Sequence, residues 1–395
     1  MKYDFETMIS RAGTGSSKWN QMYSFNPDVP PDIVPFSVAD MELKNPPEVV
    51  SGLQKYVGEV VMGYTNPGDS FFNAVKSWMK RRHNWDIEAD WIAATPGVVA
   101  AFFMAVNAFA KKGEGVIVMT PVYYPFYMAI EYNERKIARN PLLYKDGDYT
   151  IDYDGLEALA KDPANKVLLF SSPHNPVGRV WTEEELRRVG DICNANGVLM
   201  LSDEIHNDLI MPGYHHTVYA TLGEEYKNNC IVLTAPSKTF NLAGLQGSNI
   251  IIPNEEIREV YRRQVRNETS LTRLNMFAYK ACEIAYNESE EWLNQLIVHI
   301  QANYDFLKAF MAEHLPKVDV VRLEGTYLVW MDFRSYGLDS KVLERIMQFE
   351  ALLFLDEGYI FGPDGEGFER INIACPKDVL EAGLIRLRDA MKKYE

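Results

Sequence analysis

The sequence predicts an α/β protein: a mostly parallel sheet flanked on both faces by helices, followed by a smaller α+β domain. Three observations point there. Short apolar runs alternate with amphipathic helical stretches through the middle of the chain, the pattern of strands covered on both faces. A helix start is written out in Thr182-Glu183-Glu184-Glu185, where an N-cap hydroxyl precedes a glutamate placed to reach back to it. From about Tyr286 the rhythm changes to one long helical segment, Glu290 to Glu313, and then to β-rich pieces around Gly325.

Taken in order, the turn Pro96-Gly97-Val98-Val99 opens the apolar run Val98 to Ala110, which begins a helix. The expected strands are Val116–Met119, Val167–Phe170, Val198–Leu201, Ile231–Thr234 and Asn249–Ile252, with the helix Glu183–Asn196 between the second and third. Val318–Leu323 and Tyr327–Asp332 read as β-rich, and Leu380–Lys393 returns to helical spacing. The organisation expected is an N-terminal segment over 1–48 that joins the small domain, a large domain over 49–287 and a small C-terminal α+β domain over 288–395.

A chain of 395 residues has room for two or three domains and a large core without disulfides or metals. With 47% hydrophobic and 24% charged residues it has the balance of a folded protein, not of a solvated disordered chain. Lys and Arg total 40 against 55 acidic residues, a formal charge of −15 that repels phosphate backbones and anionic lipid. The expected partner is a small molecule, with no nucleic acid and no membrane. Cys193, Cys230, Cys282 and Cys375 lie far apart and spell neither a disulfide framework nor a zinc ribbon, so a reducing compartment is expected. The start, MKYDFETMIS, lacks the apolar run of a secretory signal, and Val98 to Ala110 falls short of the roughly 20 residues a bilayer needs. The expected location is the cytoplasm.

In open α/β sheets ligands bind beyond the carboxyl ends of the strands. Three successive ends carry chemistry: Ser171-Ser172-Pro173-His174-Asn175-Pro176-Val177-Gly178-Arg179, Ser202-Asp203-Glu204-Ile205-His206 and Ala235-Pro236-Ser237-Lys238-Thr239. An amide, a carboxylate and an amine would then converge. That trio suits pyridoxal 5′-phosphate, which needs a lysine to join its aldehyde and an acid to hold its ring nitrogen protonated. Lys238 would be tether and then base at the substrate Cα, Asp203 the acid, and Asn175 a donor to the ring's phenolate oxygen. On residue chemistry alone, Asp203 also suits a helix N-cap, Arg370 a surface ion pair, and Tyr123 and Tyr124 core or interface packing. His174 and His206 have no accompanying metal-ligand set, so no metal is expected.

The order N-P-x-G at 175–178, D-E-I-H at 203–206 and S-K-T at 237–239 resembles the fold type I pyridoxal-phosphate enzymes of aminotransferase class I/II. Within that class the strings SVADME (37–42), GYT (63–65), TPVYYPF (120–126), SPHNPVGRVW (172–181), APSKTFN (235–241), EGTYL (324–328), DEGYIFG (356–362) and FERIN (368–372) resemble the cystalysin-like, MalY-type carbon–sulfur lyases over nearly the whole chain. The resemblance implies a PLP-dependent transferase-like fold with a seven-stranded type of sheet, and a homodimer with shared active sites. It implies that Tyr123 stacks on the cofactor ring, that Tyr124 faces the substrate or the ring's edge, and that Gly97, Val98, Val99 and Ser237 meet the phosphate, with Tyr64 reaching in from the other subunit. It adds His206 to the cofactor-binding residues, assigns the substrate carboxylate to Arg370, and closes the backbone around Ala39 and Asp40 over it.

One position departs from the aminotransferase pattern: where many carry a phosphate-binding arginine eight residues after the lysine, this chain has Gln246. The function expected is a carbon–sulfur β-lyase acting on cystathionine, cysteine or S-substituted cysteines. An aminotransferase is the alternative, and a pyridoxal-phosphate-binding regulator a further one.

Overall fold

The apolar runs of the middle of the chain become the inner strands of one sheet. The computed structural model describes residues 2–269 and 273–394. The strands of the sheet are β1 (Ile92–Thr95), β2 (Gly115–Thr120), β3 (Lys136–Pro141), β4 (Asn165–Ser171), β5 (Leu199–Asp203), β6 (Cys230–Thr234) and β7 (Ser248–Ile251). Their order in space is β1-β7-β6-β5-β4-β2-β3, and β7 alone runs against its neighbours. Alternation along each strand sends side chains to two cores. Val116, Val118, Leu169, Leu201 and Ile231 pack with Phe102 on one face, whereas Ile117, Leu168, Met200 and Val232 pack with Leu186 and Val189 on the other.

The helix Val98–Phe109 lies across β4 to β7 and begins at Gly97, the residue whose backbone turns with φ +95°. The helix Glu183–Asn196 covers the opposite face and starts as its sequence spells: Glu185 N–H donates to Thr182 Oγ1 at 3.2 Å and Thr182 N–H to Glu185 Oε2 at 2.8 Å. Two strands and a hairpin lie outside the sequence expectation. β1 has only four residues, β3 is an exposed edge strand of polar composition, and the hairpin Leu143–Lys145 with Asp148–Thr150 is too short for a periodic signal.

Beyond the helix Glu290–His314, a second, wholly antiparallel sheet orders Asp319–Val320, Leu328–Asp332, Phe368–Asn372 and Asp356–Glu357 side by side. Of the β-rich stretch Val318–Leu323 only Asp319–Val320 is strand, and the last helix runs Lys377–Met391. The N-terminal segment is stitched to this region. Phe36 N–H donates to Phe354 O, Asn372 N–H to Phe36 O and Glu42 N–H to Ala374 O, each at 2.9 Å, while Trp19, Met22, Ile33 and Val34 enclose Phe354. Between Phe36 and Glu42, Ala39 reaches the large sheet's side, where its carbonyl accepts from Lys238 Nζ. Among the described residues no helix is long and apolar enough to cross a membrane.

Candidate active site

The parallel register sets Ser171 of β4 beside Asp203 of β5, and Asp203 beside Leu233 of β6. A cavity of ≈ 200 Å³ lies past these strand ends, and Asn175, Asp203, His206, Ser237 and Lys238 all line it. Asn175 is fixed by its N–H on Ser171 Oγ at 3.1 Å, and its carbonyl accepts from Tyr123 N–H at 3.1 Å, which brings Tyr123 to the cavity wall. Lys238 sits in the one-turn helix Pro236–Thr239, where its Nζ donates to Ala39 O at 2.7 Å. Asp203 is followed by turns, not a helix, so it is no N-cap. Its Oδ1 accepts from Ile205 N–H at 3.2 Å.

Burial decides the electrostatics. It pushes the Asp203 carboxyl up to about 7, with the Ile205 N–H bond and the Lys238 cation only partly offsetting it. Burial likewise lowers Lys238 to about 8, helped by the positive charge of Arg370 and opposed by Asp40 and Asp203. An acid drawn up and an amine drawn down line one cavity, the kind of perturbed pair that marks a working site. Burial holds His206 neutral, far below the usual histidine range, and its Nδ1 has no partner. Burial also raises the Tyr123 hydroxyl, so the ring stands as a neutral wall.

At the far end the cavity meets Gly97, Val98 and Val99, the start of the helix Val98–Phe109. Its first N–H groups and its dipole favour an anion there, an effect of at most ~2 kcal/mol. A Cβ built on Gly97 would meet no protein atom within 4 Å. A buried amine, a buried acid, an aromatic wall and an anion-seeking helix end are the groups pyridoxal 5′-phosphate requires, and they fit it.

Arg370 stands just behind this wall. It is 2% exposed, donates from Nη1 to Asn175 Oδ1 at 2.7 Å and pairs from Nη2 with Asp356. The surface ion pair that its sequence allowed is therefore a buried one. With Oδ1 committed to Arg370, Asn175 has its Nδ2 amide left for the cavity. Ala39 lines the cavity, and its carbonyl also accepts from Tyr327 OH at 2.9 Å. The Asp40 side chain does not line the cavity: its carboxylate pairs with Arg11 at 2.8 Å and Lys18 at 3.2 Å and acts on Lys238 only through its charge. Tyr124 is 38% exposed, with its ring 5.4 Å from that of Tyr123, and does not line the cavity. Tyr64 is 99% exposed and does not line the cavity of its own chain. Phe102, Ala243, Gln246 and Gly247 line it without having been singled out as site residues, Gln246 having been noted only as a departure. Phe102 is a helical core residue by pattern, and nothing local marks the others.

Sheet, crevice and paired lysine and aspartate define a family, and the family model for aminotransferase class I and II matches residues 31–387. The chain belongs to that family. Among its relatives, cystathionine beta-lyase PatB of Bacillus subtilis is 39% identical over 98% of this chain and 100% of its own length. The crystal structure of cystalysin from Treponema denticola, which contains a pyridoxal 5′-phosphate cofactor, superposes with a TM-score of 0.98 at 52% identity, covering 100% of both chains. A PLP-bound C-S lyase from Staphylococcus hominis gives a TM-score of 0.92 at 30% identity over 99% of both.

Proposed function

We propose that this chain is a pyridoxal-phosphate-dependent carbon–sulfur β-lyase that, with the uptake of one water, splits cysteine thioethers such as cystathionine into a thiol, pyruvate and ammonia. The observation that carries the reading is Lys238 and Asp203 buried on one cavity, with burial bringing them to about 8 and about 7. Bound there, the cofactor supplies an aldehyde for covalent attachment and a ring that takes up the electron pair released at the substrate Cα. Lys238 provides the amine for that attachment and afterwards takes the Cα proton. Asp203 keeps a proton on the ring nitrogen, and Asn175 Nδ2 donates to the ring's phenolate oxygen. Tyr123 stacks, His206 packs beside it as a neutral ring, and Ser237 joins Gly97, Val98 and Val99 at the phosphate. Arg370 receives the substrate carboxylate, with Tyr124 at the rim and the Ala39–Asp40 backbone above.

Gln246, in place of a phosphate-binding arginine, and the named lyases among the relatives favour elimination over amino transfer. The same reading makes the enzyme a cytoplasmic homodimer in which Tyr64 of one subunit completes the site of the other. Supporting this, Val61, Met62 and Tyr64 are 91%, 64% and 99% exposed on one loop of the single chain. It keeps the organisation as 1–48, 49–287 and 288–395. A panel of cysteine thioethers, read together for pyruvate, ammonia and thiol, tests the function. Equal yields of all three are expected; amino transfer to a 2-oxo acid outrunning pyruvate release would make the chain an aminotransferase instead.

A further inference from the structure

Arg370 is held by more than its ion pair alone. On the second sheet Asp356 lies directly opposite Arg370 in register, so the two side chains share a face. Besides the ion pair with Asp356 and the bond to Asn175, the guanidinium lies over the Phe361 ring, 4.7 Å from its centroid. Its Nε, though buried, has no partner. The group is thus fixed on three sides with a donor left over.

Asp356 also has a second task. The Oδ2 that takes Arg370 accepts the Val38 N–H at 2.9 Å. Val38 has φ +56°, a left-handed conformation that a β-branched residue seldom adopts. Two residues past Arg370 on the same strand, Asn372 Nδ2 donates to Val38 O at 2.8 Å and Asp40 O at 2.7 Å. Between them lies Ala39, the carbonyl that holds Lys238. One carboxylate oxygen therefore ties the arginine to the strained segment that carries the lysine's acceptor.

We propose that Asp356 is a positioning residue that sets the Arg370 guanidinium for the α-carboxylate of the substrate and locks it to the Val38–Ala39 backbone. This rests on Arg370 being the carboxylate site. A competing role for Asp356, repelling that carboxylate, has the opposite sign and is separable.

The test uses the cofactor-loaded enzyme and two probes, L-alanine, which has no β leaving group, and ethylamine, which lacks the carboxylate. Binding is read from the cofactor's visible absorbance. Asp356→Ala, or Asp356→Ser should the alanine variant not fold, is expected to weaken L-alanine about tenfold and ethylamine less than about twofold. Asp356→Asn keeps an oxygen acceptor in place and is expected to restore L-alanine binding to within about threefold of the parent. Unchanged or tighter L-alanine binding in the Ala or Ser variant overturns the proposal, as does equal weakening of both probes. Arg370→Ala distinguishes the underlying reading: it is expected to abolish the preference for L-alanine over ethylamine, and a preserved preference would overturn the carboxylate assignment itself.

Discussion

Asparagine in place of Asp203 removes a charge that burial resists and that the proposed function assigns to the cofactor ring. In the cofactor-free chain, burial lifts the carboxyl from 3.8 to about 7. Between those values the folded state keeps a proton that the unfolded state has released, so the parent loses stability as pH rises through that window and no more above it. Three pKa units at about 1.4 kcal/mol each amount to roughly 4 kcal/mol at pH 8. Asparagine does not titrate. The stability gap between Asp203→Asn and the parent, from urea denaturation of the cofactor-free proteins, is therefore expected to widen in the variant's favour by about 3 kcal/mol from pH 5 to pH 8. If Asp203 holds the ring nitrogen as proposed, the sign reverses with the cofactor bound, and the variant's cofactor dissociation constant is expected to rise. A gap that stays flat with pH, or that shrinks toward pH 8, would refute the claim that Asp203 is an ionisable group held in a dry cavity.

Other outcomes follow from single contacts. Lys18→Met removes the buried ammonium that lies 3.2 Å from Asp40 and 3.1 Å from Glu42 while Arg11 still pairs with both, and is expected to lower stability by about 1.5–3 kcal/mol in the same urea assay. Thr182→Ala deletes the cap of Glu183–Asn196 and is expected to cost about 1 kcal/mol while leaving turnover unchanged, since that helix packs on the sheet face away from the cavity-lining Phe102. Gly97→Ala forces a side chain onto φ +95°, a strain of roughly 1–3 kcal/mol, and sets its Cβ in open space beside the helix end. Equilibrium dialysis is expected to show weaker cofactor retention in that variant with little change in the fold.

Lys238, Asp203 and Asn175 were legible because each follows a buried apolar run, and a parallel sheet brings successive strand ends together whatever lies between them. Gly97 was legible for a similar reason, as the turn before a long apolar helix. The residues that hold the site from outside were not. Asp356 sits 318 positions from the Val38 amide that it accepts, and Lys18 reaches Asp40 and Glu42 from a short amphipathic helix where a lysine ordinarily faces water. Phe368–Asn372, buried at every position, mixes Glu369 and Arg370 with its apolar residues and so offers neither alternation nor an apolar run. Pairing across the fold supplies what makes those charges tolerable, and no local pattern announces it. Tyr64 was suggested only by the family resemblance, and a single chain leaves it in solvent.

One buried amine, that of Lys238, is proposed to accept the cofactor. Borohydride reduction of the pyridoxal-phosphate-loaded protein, followed by peptide mass mapping, reads that directly: the added mass is expected on the peptide carrying Lys238, with none in Lys238→Ala. Label on a different lysine, or undiminished label in that variant, would contradict it.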